Sequence, residues 1–351
     1  MADRIVSPNG RNAVLAQDDG NFVQYHDGAP VWASDKFLPA TPDPPPASTL
    51  SPLTIDGQFF RLANGARWTA VEGSDFNLLN RWQHGEDITP QLAQRTRAGY
   101  NLLRVWTLFD IPNIGRFLDI DYPRLPKFID LCARWGCYVE FTAYTSIERR
   151  EHWDALRFAV AGCDNVLLEL VNEGTLAVNA IDMNRYARDP HTLCSHGSGG
   201  SEGVPPWEPW DYCTFHTNGS SEEQRKVGHN AMADLADVYQ VPALTNETSR
   251  YPEVGMWVGA DLDRQSQLAF DSAAGAALLC AGSCFHSVAG KTSTLWDAAT
   301  ERVARAWAAG ARSVSTSCQP QPYRRRDDLL TDDLLRVYQR GTDGCLAFIH
   351  K

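Results

Sequence analysis

The chain lacks any surplus of positive charge: its 351 residues carry 32 Lys and Arg against 43 Asp and Glu, a formal net charge of −11. That balance argues against a nucleic-acid partner, because there is no basic excess to neutralise phosphates. The one basic run, Arg324-Arg325-Arg326, is followed at once by Asp327-Asp328 and reads as a solvated turn. Long hydrophobic runs are missing too. Ala273 to Ala281 comes nearest and is too short to cross a bilayer, so no membrane insertion is expected. The start, Met1-Ala2-Asp3-Arg4-Ile5, has no charged-then-apolar arrangement; no signal peptide is expected, and cytoplasmic synthesis is. The nine cysteines form no zinc-like spacing, Cys280 and Cys284 having no partner pair, so no metal is expected. Cys132, Cys137, Cys163, Cys213, Cys280 and Cys284 stand in apolar contexts that suit buried free thiols in a reducing compartment. No glycine-rich turn follows the first strand, which removes the nucleotide site of a doubly wound sheet and leaves no cofactor implied. Ser195-His196-Gly197-Ser198-Gly199-Gly200 is not a nucleophile elbow either; it reads as a loop running to Pro205-Pro206-Trp207, where Trp207 and Trp210 could wall a cleft.

What is present is a globular composition, 43% hydrophobic and 21% charged, with 11 tryptophans. Aromatic faces serve sugar rings as readily as cores, and core packing accounts for about half of such residues. The clearest boundary is residues 39–52, where proline density favours a semi-rigid extended linker. It separates a small segment, residues 1–38, from the rest, residues 53–351.

After the linker, Leu53–Leu62 reads as a hairpin turning at Asp56-Gly57. Strand and helix patterns then alternate. Strands are expected at Trp68–Glu72, Asn101–Leu108, Tyr138–Tyr144, Val166 up to Glu173, near His191–His196, Tyr212–Thr217, Val241 up to Glu247, and Ser283–Ser287. Helices are expected near Pro90–Ala98, Leu125–Trp135, Glu151–Ala161, Glu222–Tyr239, Gln265–Ala281 and Asp297–Ala309. About eight strand–helix units is the period of a (β/α)₈ barrel, an α/β fold. In such a barrel the strand C-termini converge on one mouth, here Glu72, Asp75, Arg104, Trp106, Tyr144, Asn172, Glu173, His196, His216, Asn218, Glu247 and His286. Two glutamates ending apolar runs stand out, Glu173 after Val166-Leu-Leu-Glu-Leu-Val-Asn and Glu247 after Val241-Pro-Ala-Leu-Thr-Asn. A carboxylate at the end of a buried strand is unfavourable to desolvate unless it has a task.

Asn172-Glu173 and Glu247 resemble the acid/base and nucleophile positions of the retaining (β/α)₈ glycosidases, the superfamily of many cellulases and mannanases. Arg104 in Leu-Leu-Arg-Val-Trp is similar to its strand-two arginine, and His216 to its strand-six histidine. The resemblance covers about residues 53–310. It implies that Glu247 attacks the anomeric carbon and Glu173 protonates the leaving oxygen. It further implies that Asn172 binds the sugar 2-hydroxyl and Arg104 keeps Glu247 ionised. Trp106, Tyr144, Trp207, His216 and His286 are expected to line the substrate. The chain departs from the family at strand eight, with Phe285-His286-Ser287 where a tryptophan is usual, and it has no evident strand-six tyrosine.

In the N-terminal segment, Gln17-Asp18-Asp19-Gly20-Asn21-Phe22-Val23-Gln24-Tyr25 resembles the mannose-binding motif of the monocot bulb-type lectins. Alternation along one strand places Gln17, Asp19, Asn21, Val23 and Tyr25 on one face, able to meet sugar hydroxyls. The family packs three such repeats into a β-prism, whereas this chain has one. A piece of this size cannot bury a core alone, so a homo-oligomer, a trimer through this segment, is expected; a purely structural use of the motif is the other reading. The sequence therefore suggests a glycoside hydrolase acting on a polysaccharide or surface glycan, with a lectin-like module, as would suit a bacteriophage virion. The other class is a non-catalytic carbohydrate-binding barrel.

Overall fold

The computed structural model describes residues 4–6, 12–16, 22–26, 29–33, 50–173, 185–197, 209–217, 236, 239–248, 250–279 and 281–314. The chain divides into two compact units, Met1–Pro44 and Pro45–Lys351.

In the first unit, β1 (Arg4–Val6), β2 (Asn12–Ala16), β3 (Phe22–His26) and β4 (Ala29–Ala33) form an antiparallel sheet in chain order. Leu15 pairs with Val23, which pairs in turn with Ala33. Val23 and Tyr25 lie on β3, whereas Gln17, Asp19 and Asn21 lie outside the described residues.

The second unit opens with β5 (Thr54–Asp56), β6 (Phe59–Arg61) and β7 (Arg67–Trp68), an antiparallel three-stranded sheet. Its first turn is the expected Asp56-Gly57, with Gly57 at φ +54°, the left-handed backbone that glycine adopts without strain. The first expected strand divides here: Trp68 completes this sheet, and the barrel strand begins at Ala70.

Eight parallel strands follow in a nearly closed barrel: β8 (Ala70–Ser74), β9 (Leu102–Trp106), β12 (Tyr138–Tyr144), β13 (Val166–Val171), β14 (Leu193–Gly197), β15 (Cys213–Thr217), β16 (Ala243–Thr248) and β17 (Gly282–Phe285). A small ribbon, β10 (Phe109–Ile111) and β11 (Gly115–Phe117), leaves the barrel after β9. β17 pairs back onto β8. The seam lies between β14 and β15, where Asp211 N donates to Cys194 O at 2.9 Å and the hydroxyls of Ser195 and Thr214 meet at 3.2 Å. Two glycines allow close approach of strands. A Cβ on Gly197 would stand 1.7 Å from Val171 O, and one on Gly282 would stand 2.2 Å from Ala70 O.

Helices cover the strands where the 3.6-residue pattern places them. In Leu125–Arg134, Leu125, Phe128, Ile129 and Cys132 recur on one face, and that face is buried. Helices Thr89–Ala98, Arg150–Val160, Leu262–Leu279 and Ala298–Ser313 also fall close to expectation. The last is capped by Asp297, whose carboxylate accepts from Thr300 N at 2.7 Å. Most of the expected Glu222–Tyr239 helix lies outside the described residues. The thiols of Cys132, Cys137, Cys194, Cys213 and Cys284 are buried and free, and Cys163 is free and partly exposed.

The barrel interior is stratified. At the N-terminal end Phe60 and Trp68 of the hairpin pack with Ala70, Leu102, Tyr138, Leu167, Tyr212 and Leu244. Trp68 meets Tyr138 edge-on at 5.0 Å, and Phe60 meets Tyr212 at 5.7 Å. Side chains alternate along a strand, so the next inward residues stand two places on: Glu72, Arg104, Glu140, Glu169 and Asn246. All five are fully buried. An apolar layer at the foot thus supports a polar, charged layer beneath the mouth.

Candidate active site

Arg104 organises the site. From β9 its guanidinium donates to Glu169 Oε2 through Nη2 (2.6 Å) and Nε (3.1 Å), to Asn172 Oδ1 through Nη2 (2.7 Å), and to Glu247 Oε2 through Nη1 (2.9 Å). Glu140 Oε2 stands 3.6 Å from Nε. The planar fork thus ties β9 to β13 and β16, a task a lysine ammonium would not reproduce. Burial opposes its charge, but Glu169, then Glu247 and Glu140, raise the guanidinium pKa and keep it protonated.

Glu247 lies inside β16 rather than beyond its end, and a β-bulge explains how it faces the mouth. In the pairing of β15 with β16, Phe215 stands opposite Thr245 but His216 stands opposite Glu247, so Asn246 is the extra residue. Strict alternation would send Asn246 and Glu247 to opposite faces. With the bulge, both point inward: Asn246 Nδ2 donates to Glu169 Oε1 (2.6 Å) and Glu140 Oε2 (3.2 Å), while Glu247 takes Arg104. Burial works against the Glu247 charge, yet His216, His286 and Arg104 together outweigh it and hold its carboxyl at about 2.

Glu173 follows β13 with φ +54°, a left-handed backbone that is uncommon for a residue with a side chain. Such strain, of order 1–3 kcal/mol, tends to sit where a side chain must be aimed. Its Oε1 meets His216 Nδ1 at 3.2 Å. The other nitrogen of that fully buried imidazole, Nε2, stands 3.7 Å from Glu247 Oε2. One ring therefore lies between the two carboxylates, which keep 17% and 14% of their side-chain surface exposed and so remain open to a substrate. A carboxylate oxygen of each and a His216 nitrogen lie within 4.8 Å of one another, and this trio is where a divalent cation could be held. Against such an ion, Arg104 already places a fixed positive charge on Glu247.

The structure brings Arg104, Asn172, Glu173, His216, Glu247 and His286 together. Nε2 of His286 is 3.8 Å from Glu247 Oε1, and burial lowers its imidazole pKa to about 4 against the pull of Glu247, leaving it neutral at ordinary pH. Trp106 is stacked face to face on Phe76 (3.8 Å, 6°) and nearly buried; Phe76 in turn stands 5.3 Å from His286 and 5.5 Å from the Arg104 guanidinium carbon. Trp106 therefore backs the wall of the site. Tyr144 is also turned away: its hydroxyl donates to Arg149 O at 2.8 Å and accepts from Trp153 N at 3.2 Å. Asp75, expected at the mouth, is a buried structural partner of Arg95, doubly hydrogen-bonded at 2.9 and 3.0 Å. Glu72 sits in the interior layer, not at the mouth. His196 packs on Trp210 at 3.9 Å. Trp207 and Asn218 lie outside the described residues.

Glu140, Glu169 and Asn246 were missed in the sequence. Their signal was available in part, since a glutamate inside each of the runs Tyr138–Tyr144 and Val166–Val171 is a charge in a buried strand.

No family model matches the chain, and no curated protein matches it. Among solved structures, it resembles a protein of Bacteroides vulgatus described as a candidate glycoside hydrolase (TM-score 0.54, 15% identity, covering 86% of this chain and 72% of that one). It also resembles a protein described as a glycoside hydrolase (TM-score 0.52, 15% identity, 71% and 68% covered). A third is a family 5, subfamily 18 glycoside hydrolase of Streptomyces cattleya solved with N-acetylglucosamine (TM-score 0.51, 13% identity, 70% and 80% covered). At these identities the likeness establishes the fold: this chain has the (β/α)₈ barrel of those proteins.

Proposed function

We propose that the barrel is a retaining glycoside hydrolase acting on a poly- or oligosaccharide, with Glu247 as nucleophile and Glu173 as acid/base. The observation that carries the reading is the proximity of the two carboxylates. Oxygens of Glu173 and Glu247 approach within 4.8 Å, which suits the roughly 5–5.5 Å separation of retaining enzymes better than the roughly 6.5–9.5 Å of inverting ones. The Arg104 guanidinium, 2.9 Å from Glu247 Oε2, favours the ionised form of Glu247, the form a nucleophile needs. In the first step Glu247 attacks the anomeric carbon as the bond to the leaving oxygen breaks, and Glu173 gives that oxygen its proton. In the second step Glu173 takes a proton from water, the resulting hydroxide equivalent attacks the anomeric carbon, and Glu247 leaves as a carboxylate stabilised by Arg104.

The barrels solved as glycoside hydrolases agree with this class. The N-terminal motif supports a second carbohydrate contact on the same chain, and trimer formation through it is testable by light scattering on a sizing column. His286, where the family carries a tryptophan, favours a sugar pocket of altered shape, and it is also the feature a binding-only barrel would share. Assays of β-linked glycans and aryl β-glycosides with the wild type, Glu173→Gln and Glu247→Gln separate the two. Hydrolysis that drops by about 10³-fold or more in Glu247→Gln supports the proposal. Sugar binding without turnover in the wild type overturns it.

A further inference from the structure

Four carboxyl groups, Glu72, Glu140, Glu169 and Glu247, surround one guanidinium in the barrel interior, which poses a problem of charge. Three of them are fully provided for. Glu247 has Arg104; Glu169 accepts from Arg104, Asn246 and Thr142, the last at 2.6 Å. Glu140 accepts from the Tyr212 hydroxyl at 2.8 Å and from Asn246. Glu72 differs. It is fully buried, and among the described residues no donor reaches either of its oxygens. An isolated buried carboxylate is untenable, so the group must be neutral. With a proton it gains a partner, because its hydroxyl then hydrogen-bonds to Glu140.

We propose that Glu72 keeps its proton and hydrogen-bonds through it to Glu140, and that the charge on Glu140 competes with Glu247 for Arg104, making Glu140 a positioning residue for the nucleophile. The inference deepens the glycosidase reading and rests on it for the role of Glu247. The groups facing the pair are Arg104 from β9, Glu169 from β13, Tyr212 just before β15, and the Cys284 thiol from β17, which burial keeps neutral. Glu247 and His216 lie above this layer, against Arg104 and Glu169. Burial, then the charge of Glu169, push the Glu140 carboxyl up to about 7, with Arg104 opposing; burial, then the charge of Glu140, push the Glu72 carboxyl well above the usual carboxylate range. As Glu140 ionises, a third anion joins Glu169 and Glu247 around the guanidinium, 3.6 Å from Nε. Arg104 is drawn downward and its hold on the nucleophile weakens.

The test uses infrared titration of the full chain together with the pH profile of kcat/KM on whichever aryl β-glycoside is turned over. The wild type is expected to show one protonated-carboxyl band lost near neutrality, absent from Glu140→Gln, and a second that persists to higher pH, absent from Glu72→Gln. The alkaline limb of kcat/KM is expected to move up by about one pH unit in Glu140→Gln and to keep its place in Glu72→Gln, whose amide imitates the protonated acid. Lack of a persistent protonated band in the wild type overturns the proposal, whether or not either variant folds. An unchanged alkaline limb in Glu140→Gln, with both bands present, overturns the link to Arg104. Both bands with no turnover on any glycan support the proton-carrying pair while overturning the glycosidase reading, so the two failures are distinct.

Discussion

The lower barrel layer, Ala70, Leu102, Tyr138, Leu167 and Leu244, and the layer two residues above it, Glu72, Arg104, Glu140, Glu169 and Asn246, are almost equally buried. Both come from the same strands by the same alternation. The lower layer gains by removing apolar surface from water and is sensitive to volume. The upper layer must find a partner for every charge and is sensitive to electron and proton count. The two carboxylates at the mouth, Glu173 and Glu247, are underlain by three more, Glu72, Glu140 and Glu169, and Arg104 stands among them.

The charged layer is most vulnerable at Arg104. Arg104→Met keeps the volume and removes the cation, stranding Glu169 and Glu247. A loss of about 3–5 kcal/mol is expected in urea denaturation, with larger losses at higher pH, where the carboxyls must ionise. In the lower layer, Leu102→Ala should cost about 2–5 kcal/mol through its cavity, with no change in pH dependence. If the two variants show the same pH dependence, the distinction between the layers fails.

A smaller effect is the slope of stability against pH. Glu140 has a folded pKa of about 7, raised from the ordinary 4.5, so between those values the folded state binds more protons than the unfolded one. Stability contributed by this group is therefore full below the unfolded value and declines as pH rises through the folded one, by at most about 1.4 kcal/mol per pH unit. Calorimetric melts of Glu140→Gln should lack that decline, while Leu102→Ala should retain it. The smallest expected change is at the seam: Ser195→Ala removes the contact with Thr214 and should cost about 1 kcal/mol in the same melts.

Much of this arrangement is legible from the strand–helix period. The strand positions, Arg104, the Asn172-Glu173 pair, His216 and Glu247 could be placed because a barrel sends each strand end to one mouth. The fifth strand was the least defined, and it was found at Leu193–Gly197, ending in a glycine that tolerates the approach of Val171. The interior layer was harder to read. Val166-Leu-Leu-Glu-Leu-Val looks like a continuous apolar run, and its central glutamate becomes meaningful only once Arg104 stands opposite. The strand-end positions of Trp106 and Tyr144 suggest substrate contacts, but side-chain direction decides otherwise: one stacks on Phe76 and the other reaches for Arg149 O. Neither direction is encoded in strand period.

The bulge in β16 has a consequence for how such a site can arise or be lost. Asn246 serves the charged layer and Glu247 the mouth, and consecutive residues can do both only because one strand holds a residue more than its partner. No single replacement within Ala243–Thr248 can restore that count once it is gone. Deleting Asn246 would return the strand to one-to-one pairing, leave Glu247 opposite His216 and facing the mouth, and remove the amide that Glu169 and Glu140 share. That one strand serves both the charged layer and the mouth is thus written in chain length, and a change in the number of residues, as well as in their kind, can undo it.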